Sequence, residues 1–311
     1  MTTALYMHDD CLHHVTPPGH PERVERLEAI EQALTAAEFD ALDRREAPLA
    51  ARPDLLLCHP GSHLDRVVAA VPEEGWVSLD ADTHLSPGSY QAALRAVGGN
   101  IAAVDAVLAG EIANAFVACR PPGHHAETET AMGFCLFGNV AIAARHAMDR
   151  HGLTRVAIVD FDVHHGNGTQ DLMWTEERAL FVSSHQMPLF PGTGDAHETG
   201  AHDNIVNVPL APMTGGAEMR RAYETEILPA LLDYRPELML ISAGFDAHAA
   251  DPLANLNWTD GDFAWVTERL CDVAEDTCDG RVVSTLEGGY DLDALATSAA
   301  AHVRVLMERG G

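Results

Sequence analysis

The stretch that decides the fold is residues 158–168, IVDFDVHHGNG. Together with Val156 and Ala157 before it, its apolar start has the length and composition of a buried strand. The strand then ends in side chains that can bind metals or transfer protons, namely Asp160, Asp162, His164 and His165. An apolar strand that ends in such residues predicts a functional site at one edge of a sheet.

Other apolar runs and helical stretches continue the same alternation along the chain. The further runs span residues 115–119, 179–184, 204–210, 237–244 and 281–289, and the helical stretches between or after them span 139–150, 216–233, 260–278 and 292–308. Upstream, helices are predicted from Pro21 to Ala37, with proline at the start, and from Ser89 to Gly110. Continuous apolar strands separated by helices predict an α/β fold, in which a parallel sheet is covered on both faces, and a single domain over residues 1–311.

Polar clusters follow five of the predicted strands. They are RPPGHHA (120–126), DFDVHHGNG (160–168), SSHQ (183–186), FDAH (245–248) and EGGYD (287–291). In an open parallel sheet, ligands bind at the carboxyl ends of the strands. We therefore expect these clusters to converge in space and to form one site.

Asp162, His164 and Asp246 give one imidazole and two carboxylates near two strand ends. Three protein ligands with a fourth position open are typical of a catalytic zinc, which lowers the pKa of its bound water to about 7 and polarises a carbonyl. Asp160 lies on the other face of the strand end. It could accept a hydrogen bond from a neighbouring group, or its carbonyl could bind a monovalent cation.

His124 and His125 follow a Pro-Pro-Gly turn, where adjacent histidines are rarely core residues. Amide hydrolysis needs a base for the attacking water and an acid for the leaving amine, and a histidine pair could divide these roles.

Tyr290 follows two glycines, which predicts a mobile backbone. Its phenol could swing toward a substrate carbonyl and stabilise the oxyanion.

The chain carries a formal charge of −28, and its 19 basic residues are all arginine. So acidic a surface argues against nucleic acid as a partner and would attract cationic ligands, although it could also serve solubility alone. No cysteine spacing indicates disulfides, and neither a signal peptide nor a membrane-spanning run is visible. We therefore expect a cytoplasmic protein that does not bind membranes.

Taken together, the motifs resemble those of the zinc-dependent histone deacetylase superfamily, which includes bacterial histone-deacetylase-like amidohydrolases and acetylpolyamine amidohydrolases. The matching motifs, in family order, are HPER (20–23), RPPGHHA (120–126), GFCLFGNVAIAA (133–144), VDFDVHHGNGTQ (159–170), LFPGTGD (189–195), SAGFDAH (242–248) and EGGYD (287–291). The resemblance covers nearly the whole chain. It implies the arginase/deacetylase fold, with a mostly parallel eight-stranded sheet between helices and the site at the C-terminal strand ends.

The resemblance also implies roles for individual residues. Asp162, His164 and Asp246 match the zinc ligands, His124 and His125 match the tandem general base and acid, and Tyr290 matches the tyrosine that polarises the carbonyl. Asp160 matches the aspartate bonded to the first histidine. The narrow apolar substrate tunnel is matched by Gly133, Phe134 and Phe190, and Leu253 stands where polyamine-specific relatives can place a gatekeeper glutamate. A structural potassium site is matched by Ser183 and Ser184 with the backbone of Asp160, Asp162 and His164.

Asn167, in HHGNG, stands where one branch of the superfamily has an aspartate paired with the second histidine. The asparagine resembles the class II-like branch. Because an amide is neutral, it does not raise the pKa of that histidine as a carboxylate would. The division of acid and base roles between His124 and His125 therefore stays open at this point.

The predicted function is a zinc amidohydrolase that removes acetyl or similar acyl groups from ε-acetyl-lysine-type amines. The alternative substrate is an acetylpolyamine, which the acidic surface favours and Leu253 disfavours. An arginase-like two-metal site would need further ligands, for which only His165 and His248 are available, and a catalytically inactive binding module conflicts with the intact motifs. We expect an acetylated lysine peptide or a small acetylated amine as partner, and a homo-oligomer, a dimer or tetramer, is compatible with the sequence.

Overall fold

The computed structural model describes residues 1–311, and its centre is an eight-stranded sheet. The strands are β1 (Thr3–Met7), β2 (Asp43–Glu46), β5 (Asn114–Val117), β6 (Val156–Asp160), β7 (Ala179–Gln186), β8 (Ile205–Leu210), β9 (Leu238–Ala243) and β10 (Val282–Leu286), whereas β3 (Val77–Ser78) and β4 (His84–Leu85) form a separate antiparallel pair. The order in the large sheet is β2-β1-β5-β10-β9-β6-β7-β8, and every neighbouring pair is parallel. The predicted α/β fold with a parallel sheet is confirmed.

Helices cover both faces of the sheet. They are α1 (Glu25–Ala33), α2 (Arg52–Leu55), α3 (Gly61–Ala70), α4 (Ser89–Leu108), α5 (Asn139–Arg150), α6 (Asn167–Met173), α7 (Gly216–Ala222), α8 (Leu228–Tyr234), α9 (Asp260–Cys278) and α10 (Leu292–Gly310). Helices α4, α5 and α6 pack together on one face, and α1, α10, α9 and α8 form a continuous layer on the other. None of these helices combines the length and the apolar character needed to cross a bilayer.

Two strands of the large sheet escaped prediction. Strand β1 has the sequence TALYM, and β2, with the sequence DRRE, lies at the edge of the sheet with alternate residues exposed. Charged residues are typical of edge strands because they discourage pairing with other chains, and they hide the apolar pattern that identifies a strand. The remaining six strands coincide with the six apolar runs to within a few residues.

The predicted helix start at Pro21 is wrong, because α1 begins at Glu25. Residues 21–24 form a turn that buries the carboxylate of Glu22 against the guanidinium groups of Arg26 and Arg120. The predicted helix over 216–233 is likewise divided, since a π-helical turn over Tyr223–Ile227 separates α7 from α8.

The sheet is the core of the molecule and also the platform of the site. Strand β6 lies between β9 and β7, with all five of its residues buried. Its last residue, Asp160, pairs in register with Ser183 of β7 and Ser242 of β9. Polar side chains at the ends of adjacent buried strands are therefore held at fixed spacings by the ladder of backbone hydrogen bonds.

Candidate active site

The loops that follow β5, β6, β9 and β10 converge on one cavity of about 370 Å³. Three of the predicted chemical groups, those of His125, His164 and Tyr290, line it. The predicted tunnel residues Gly133, Phe134, Phe190 and Leu253 line it as well. The structure thus brings together residues that are up to 165 positions apart in the sequence, at the carboxyl edge of the sheet.

The cavity walls are aromatic and narrow. The ring of Phe134 lies 5.8 Å from that of Tyr290, and the ring of Phe190 lies 5.1 Å from that of His125, measured between centroids. Gly133 has a φ of +56°, and a Cβ there would stand 2.4 Å from the ring of His125. Only glycine lets the backbone pass so close to this imidazole.

Asp162, His164 and Asp246 place one ligand atom each within 4.8 Å of one another. Nδ1 of His164 lies 3.1 Å from Oδ1 of Asp162 and 3.1 Å from Oδ2 of Asp246, and both carboxylates are fully buried. Two buried carboxylates that face one imidazole nitrogen need a positive charge between them. Oxygen and nitrogen donors in this number suit Zn²⁺ with one position open.

The pKa of His164 also indicates that a positive charge is favoured between the carboxylates of Asp162 and Asp246. Burial disfavours an imidazolium, but the hydrogen bonds to Asp162 and Asp246 outweigh it and raise the pKa of His164 to about 10. In the chain alone, a proton on Nδ1 therefore occupies the place between the carboxylates that a metal cation would take. The residues present fit a divalent metal ion.

Gly288 forms the wall behind these carboxylates. Its N–H donates a hydrogen bond of 2.8 Å to Oδ2 of Asp162. A Cβ at this position would stand 2.0 Å from Oδ2 of Asp246 and 2.5 Å from Oδ2 of Asp162. The first glycine of EGGYD is therefore required by the close approach of these two buried carboxylates.

A second group of possible ligands lies far from the cavity, on α4 and at the end of α5. Nε2 of His146 and Nε2 of His151 lie 2.7 Å and 2.6 Å from the same oxygen of Asp105. However, Nδ1 of His146 is buried without a hydrogen-bond partner. A metal on Nε2 would force a proton onto that nitrogen and bury an unsatisfied donor, so this group suits a hydrogen-bonded clasp better than a metal site.

His124 lies behind the cavity, paired with a carboxylate. Its Nδ1 is 2.9 Å from Oδ2 of Asp160, and its Nε2 is 3.8 Å from Oδ2 of Asp162. Burial alone would lower the pKa of His124, but the charges of Asp162 and Asp160 outweigh burial and raise it well above the ordinary value. The charges around His124 therefore favour its protonated form.

His125 lines the cavity and has a neutral partner. Its Nδ1 is 2.8 Å from Oδ1 of Asn167, and the amide nitrogen of Asn167 donates to Oε1 of Glu127 at 2.8 Å. Burial lowers the pKa of His125 well below its ordinary value, and the positive charges of His124 and His164 add to the effect. This histidine is held in its neutral form.

Tyr290 is buried, and its hydroxyl has no hydrogen-bond partner in the protein. Burial, with the charge of Asp246, raises the pKa of Tyr290, so the phenol stays a hydrogen-bond donor. The mobile backbone predicted here is not what the structure shows. The carbonyl of Gly289 accepts a 2.6 Å hydrogen bond from Arg26, and the N–H of Tyr290 donates a 2.7 Å bond to Asp251. The backbone on both sides of Tyr290 is therefore anchored.

Comparison with known proteins agrees with the chemistry that the site geometry indicates. A family model described as the histone deacetylase domain matches residues 20–306. The chain belongs to the histone deacetylase family. The resemblance inferred from the motifs is thereby confirmed, and family membership supports a deacetylase activity, the hydrolysis of an acyl amide.

Several relatives within this family cover most of the chain. A histone deacetylase-like amidohydrolase of Pseudomonas aeruginosa is 40% identical over 310 residues, which span 93% of this chain and 81% of that protein. A probable deacetylase of Archaeoglobus fulgidus is 38% identical over 299 residues, spanning 94% of this chain and 82% of that protein. The crystal structure of the HDA15 HD domain matches with a TM-score of 0.93 at 34% identity, covering 99% of this chain and 89% of that one. The arginase/deacetylase fold is confirmed.

The residues that the histone deacetylase resemblance assigned to potassium lie at the end of β6, in the loop that follows it and within β7. Ser183 pairs in register with Asp160, and its hydroxyl lies 2.9 Å from Nδ1 of His185. The hydroxyl of Ser184 instead contacts that of Tyr223 at 2.9 Å.

Three residues that hold the catalytic-looking groups were not predicted: Arg26, Glu127 and Asp251. Arg26 follows the HPER motif by three positions. Asp251 lies two positions before Leu253 and accepts a 2.9 Å hydrogen bond from its N–H. Glu127 follows the histidine pair by two positions. Nothing in the local sequence indicates their partners, because each contacts an element more than 35 residues away.

Proposed function

We propose that this protein is a zinc-dependent deacetylase that hydrolyses the acyl amide of an ε-acetyl-lysine-type side chain. The observation that carries the proposal is the buried group of Asp162, His164 and Asp246 at the inner end of a narrow apolar cavity, beside His125 and Tyr290. Zinc bound there would polarise the carbonyl and lower the pKa of a bound water. We assign the whole chain to this one domain.

The side chains around the cavity have complementary roles. The apolar walls, with Phe134 and Phe190, fit an unbranched methylene chain, and they leave the acyl end near His125 and Tyr290. The Tyr290 hydroxyl donates a hydrogen bond to the oxygen that becomes negative in the transition state. His125, neutral and facing the cavity, takes the proton of the attacking water and delivers it to the leaving amine. His124 stays protonated and stabilises negative charge from behind.

The first test is the dependence on metal. The zinc-loaded wild type is expected to hold one zinc per chain, and Asp246→Ala is expected to lose it, because a buried ligand is removed. Metal analysis after dialysis measures both. Tyr290→Phe is the matched control: it should keep the zinc and lose about 10²–10³-fold in kcat, by the scale of oxyanion-hole donors. Full zinc occupancy in Asp246→Ala would contradict the ligand assignment, and a wild-type kcat in Tyr290→Phe would contradict the role of the phenol.

The second candidate substrate is an acetylpolyamine, and the charge of −28 favours it. Leu253, which lines the cavity, favours an apolar acyl-lysine chain instead. The kcat/KM values for an acetyl-lysine peptide, acetylputrescine and acetylspermidine, measured on the zinc-loaded enzyme, discriminate between the two. Leu253→Glu is expected to raise the relative kcat/KM for acetylspermidine, and Leu253→Gln, of the same size but neutral, serves as control. A wild-type preference for acetylspermidine would favour the second candidate.

A further inference from the structure

We propose that Glu127 is a positioning residue for His125 and acts through the side-chain amide of Asn167. The structure shows a continuous chain of hydrogen bonds from His125 Nδ1 to Asn167 Oδ1 at 2.8 Å, and from Asn167 Nδ2 to Glu127 Oε1 at 2.8 Å. The kinetic consequence rests on the deacetylase function proposed above, whereas the effect on the imidazole does not.

The direction of every hydrogen bond in this chain follows from Glu127. A carboxylate can only accept, so it obliges Asn167 to present its NH₂ group on that side. The carbonyl oxygen of the amide then faces His125 and also can only accept. His125 must therefore carry a proton on Nδ1. In a neutral imidazole that leaves the lone pair on Nε2, the nitrogen available to act as a base in the cavity.

Asn167 alone does not fix this tautomer. Its amide has nearly the same shape after a half-turn about its last bond, and the turned amide would offer an N–H to His125. Nδ1 would then accept, the proton would move to Nε2, and the base in the cavity would be lost. The other neighbour of the amide nitrogen is Sδ of Met132 at 3.4 Å, which is only a weak acceptor. Glu127 supplies the acceptor that prevents the turn.

The position of Glu127 is itself fixed by the backbone. Its N–H donates to the carbonyl of Thr130 at 2.9 Å, and its own carbonyl accepts from Thr130, which closes a tight turn. Thr128, the next residue, is held through its N–H and hydroxyl by the carboxylate of Asp171 on α6. The loop is thereby tied to the same helix that begins with Asn167, so the two side chains keep their spacing.

Kinetics test the inference by comparing two substitutions at one position. Glu127→Ala is expected to lower kcat about 10–100-fold with little change in KM, the range found when partners that orient a functional side chain are removed. Glu127→Gln keeps an acceptor oxygen and should stay within a few-fold of wild type. In an Asn167→Ala background, Glu127→Ala should cause no further loss, because the connection is already broken. Losses that multiply, or a Glu127→Ala enzyme with wild-type kcat, would overturn the proposal.

The tautomer gives a second readout that does not depend on activity. In zinc-loaded enzyme labelled with ¹⁵N-histidine, the signal of His125 is assigned by its absence from His125→Gln. Wild type and Glu127→Gln should show the proton on Nδ1, and Glu127→Ala should show a population with the proton on Nε2. Glu129→Ala, on the same loop with its carboxylate on Ser62, is the control that should leave this signal unchanged. An unchanged tautomer in Glu127→Ala overturns the inference, whereas an inactive wild type with the expected tautomers overturns only the deacetylase assignment.

Discussion

His124 and His125 are neighbours in the chain with rings 4.0 Å apart, yet the structure gives them opposite surroundings. His124 is paired with the buried carboxylate of Asp160, and its pKa is raised. His125 is paired with the amide of Asn167, and its pKa is lowered. Identical side chains therefore acquire different chemistry from their burial, their partners and the charges around them.

The difference supports the division of roles proposed above. His125 lines the cavity, and its lowered pKa favours the neutral form, which can accept and return a proton. His124 does not line the cavity, and the charges of Asp162 and Asp160 raise its pKa. Nearby carboxylates favour an imidazolium, whereas burial beside a neutral amide favours the neutral base.

The largest expected effect comes from removing each imidazole in turn. His125→Ala should lower kcat about 10³–10⁴-fold, the upper range for proton transfer, because it removes the proposed base. His124→Ala should cost only about 10–10²-fold, since it removes a charge behind the site rather than the base. Steady-state kinetics on variants with verified zinc content measure both. Equal losses, or a larger loss in His124→Ala, would contradict the assignment.

The next largest effect is expected when the partner of His124 is changed from a carboxylate to an amide, the kind of partner that His125 has. Asp160→Asn removes the charge that holds His124 protonated while keeping the size of the side chain. We expect kcat to fall about 10–100-fold, as for other lost partners of a functional histidine. Ser242→Ala, on the strand beside Asp160, is the control and should have a small effect. A kcat near that of wild type in Asp160→Asn would show that the protonated form is not needed.

A third buried histidine, His302, shows how burial without a charged partner makes stability depend on pH. The ring nitrogens of His302 contact only the hydroxyls of Thr267 and Ser284, at 2.7 Å and 2.8 Å. Burial without a carboxylate lowers the pKa of His302 to about 3. The unfolded chain has a histidine pKa of about 6.5, so between these values the unfolded state binds more protons. The stability that this group confers is thus present above pH 6.5 and is lost as the pH falls toward 3.

Between pH 7 and pH 5, His302 alone is expected to remove about 2 kcal/mol from the free energy of unfolding. His302→Gln keeps a donor and an acceptor but does not titrate, so its stability should depend less on pH by that amount. Chemical denaturation of both proteins at both pH values measures the difference. The same pH dependence in the two proteins would show that His302 does not behave as a neutral buried residue.

The smallest expected effect comes from giving His125 a charged partner. In the wild type, Nδ2 of Asn167 donates to Oε1 of Glu127 at 2.8 Å. Asn167→Asp replaces this donor with a carboxylate oxygen, so that two carboxylates face each other. We expect kcat to fall several-fold because like charges at this distance repel each other. Adding Glu127→Gln should restore much of the loss, since the glutamine can turn its NH₂ group toward the new carboxylate. If kcat does not recover in the double variant, Glu127 does not act through Asn167 on His125.

The sequence was a good guide wherever a side chain acts close to the end of its own strand. Asp160, Asp162 and His164 follow an apolar run directly, and the rule that parallel strands present ligands at their carboxyl ends was enough to group them with Asp246 and Tyr290. The eight-stranded fold came from the family motifs, since the charged edge strand β2 carries no apolar pattern of its own.

The sequence could not reveal groups whose meaning lies in a distant partner. Glu127 reads as one more acidic residue in a very acidic chain, until Asn167 is found beside it. The two glycines before Tyr290 were interpreted as freedom of movement, whereas Gly288 is needed for close approach and the loop is anchored on Arg26 and Asp251. Local sequence gives the permitted backbone conformations but not the contacts that select among them.

Gly288 also has a consequence for inhibitors. Because its N–H is bound to Asp162 and Tyr290 follows two residues later, a short covalent spacer fixes the span from the carboxylates to the phenol. A compound that contacts both the carboxylates and the phenol must match the length of this spacer. Selectivity for this enzyme must therefore be sought at other residues that line the cavity, such as His20, Asp82 and Phe190.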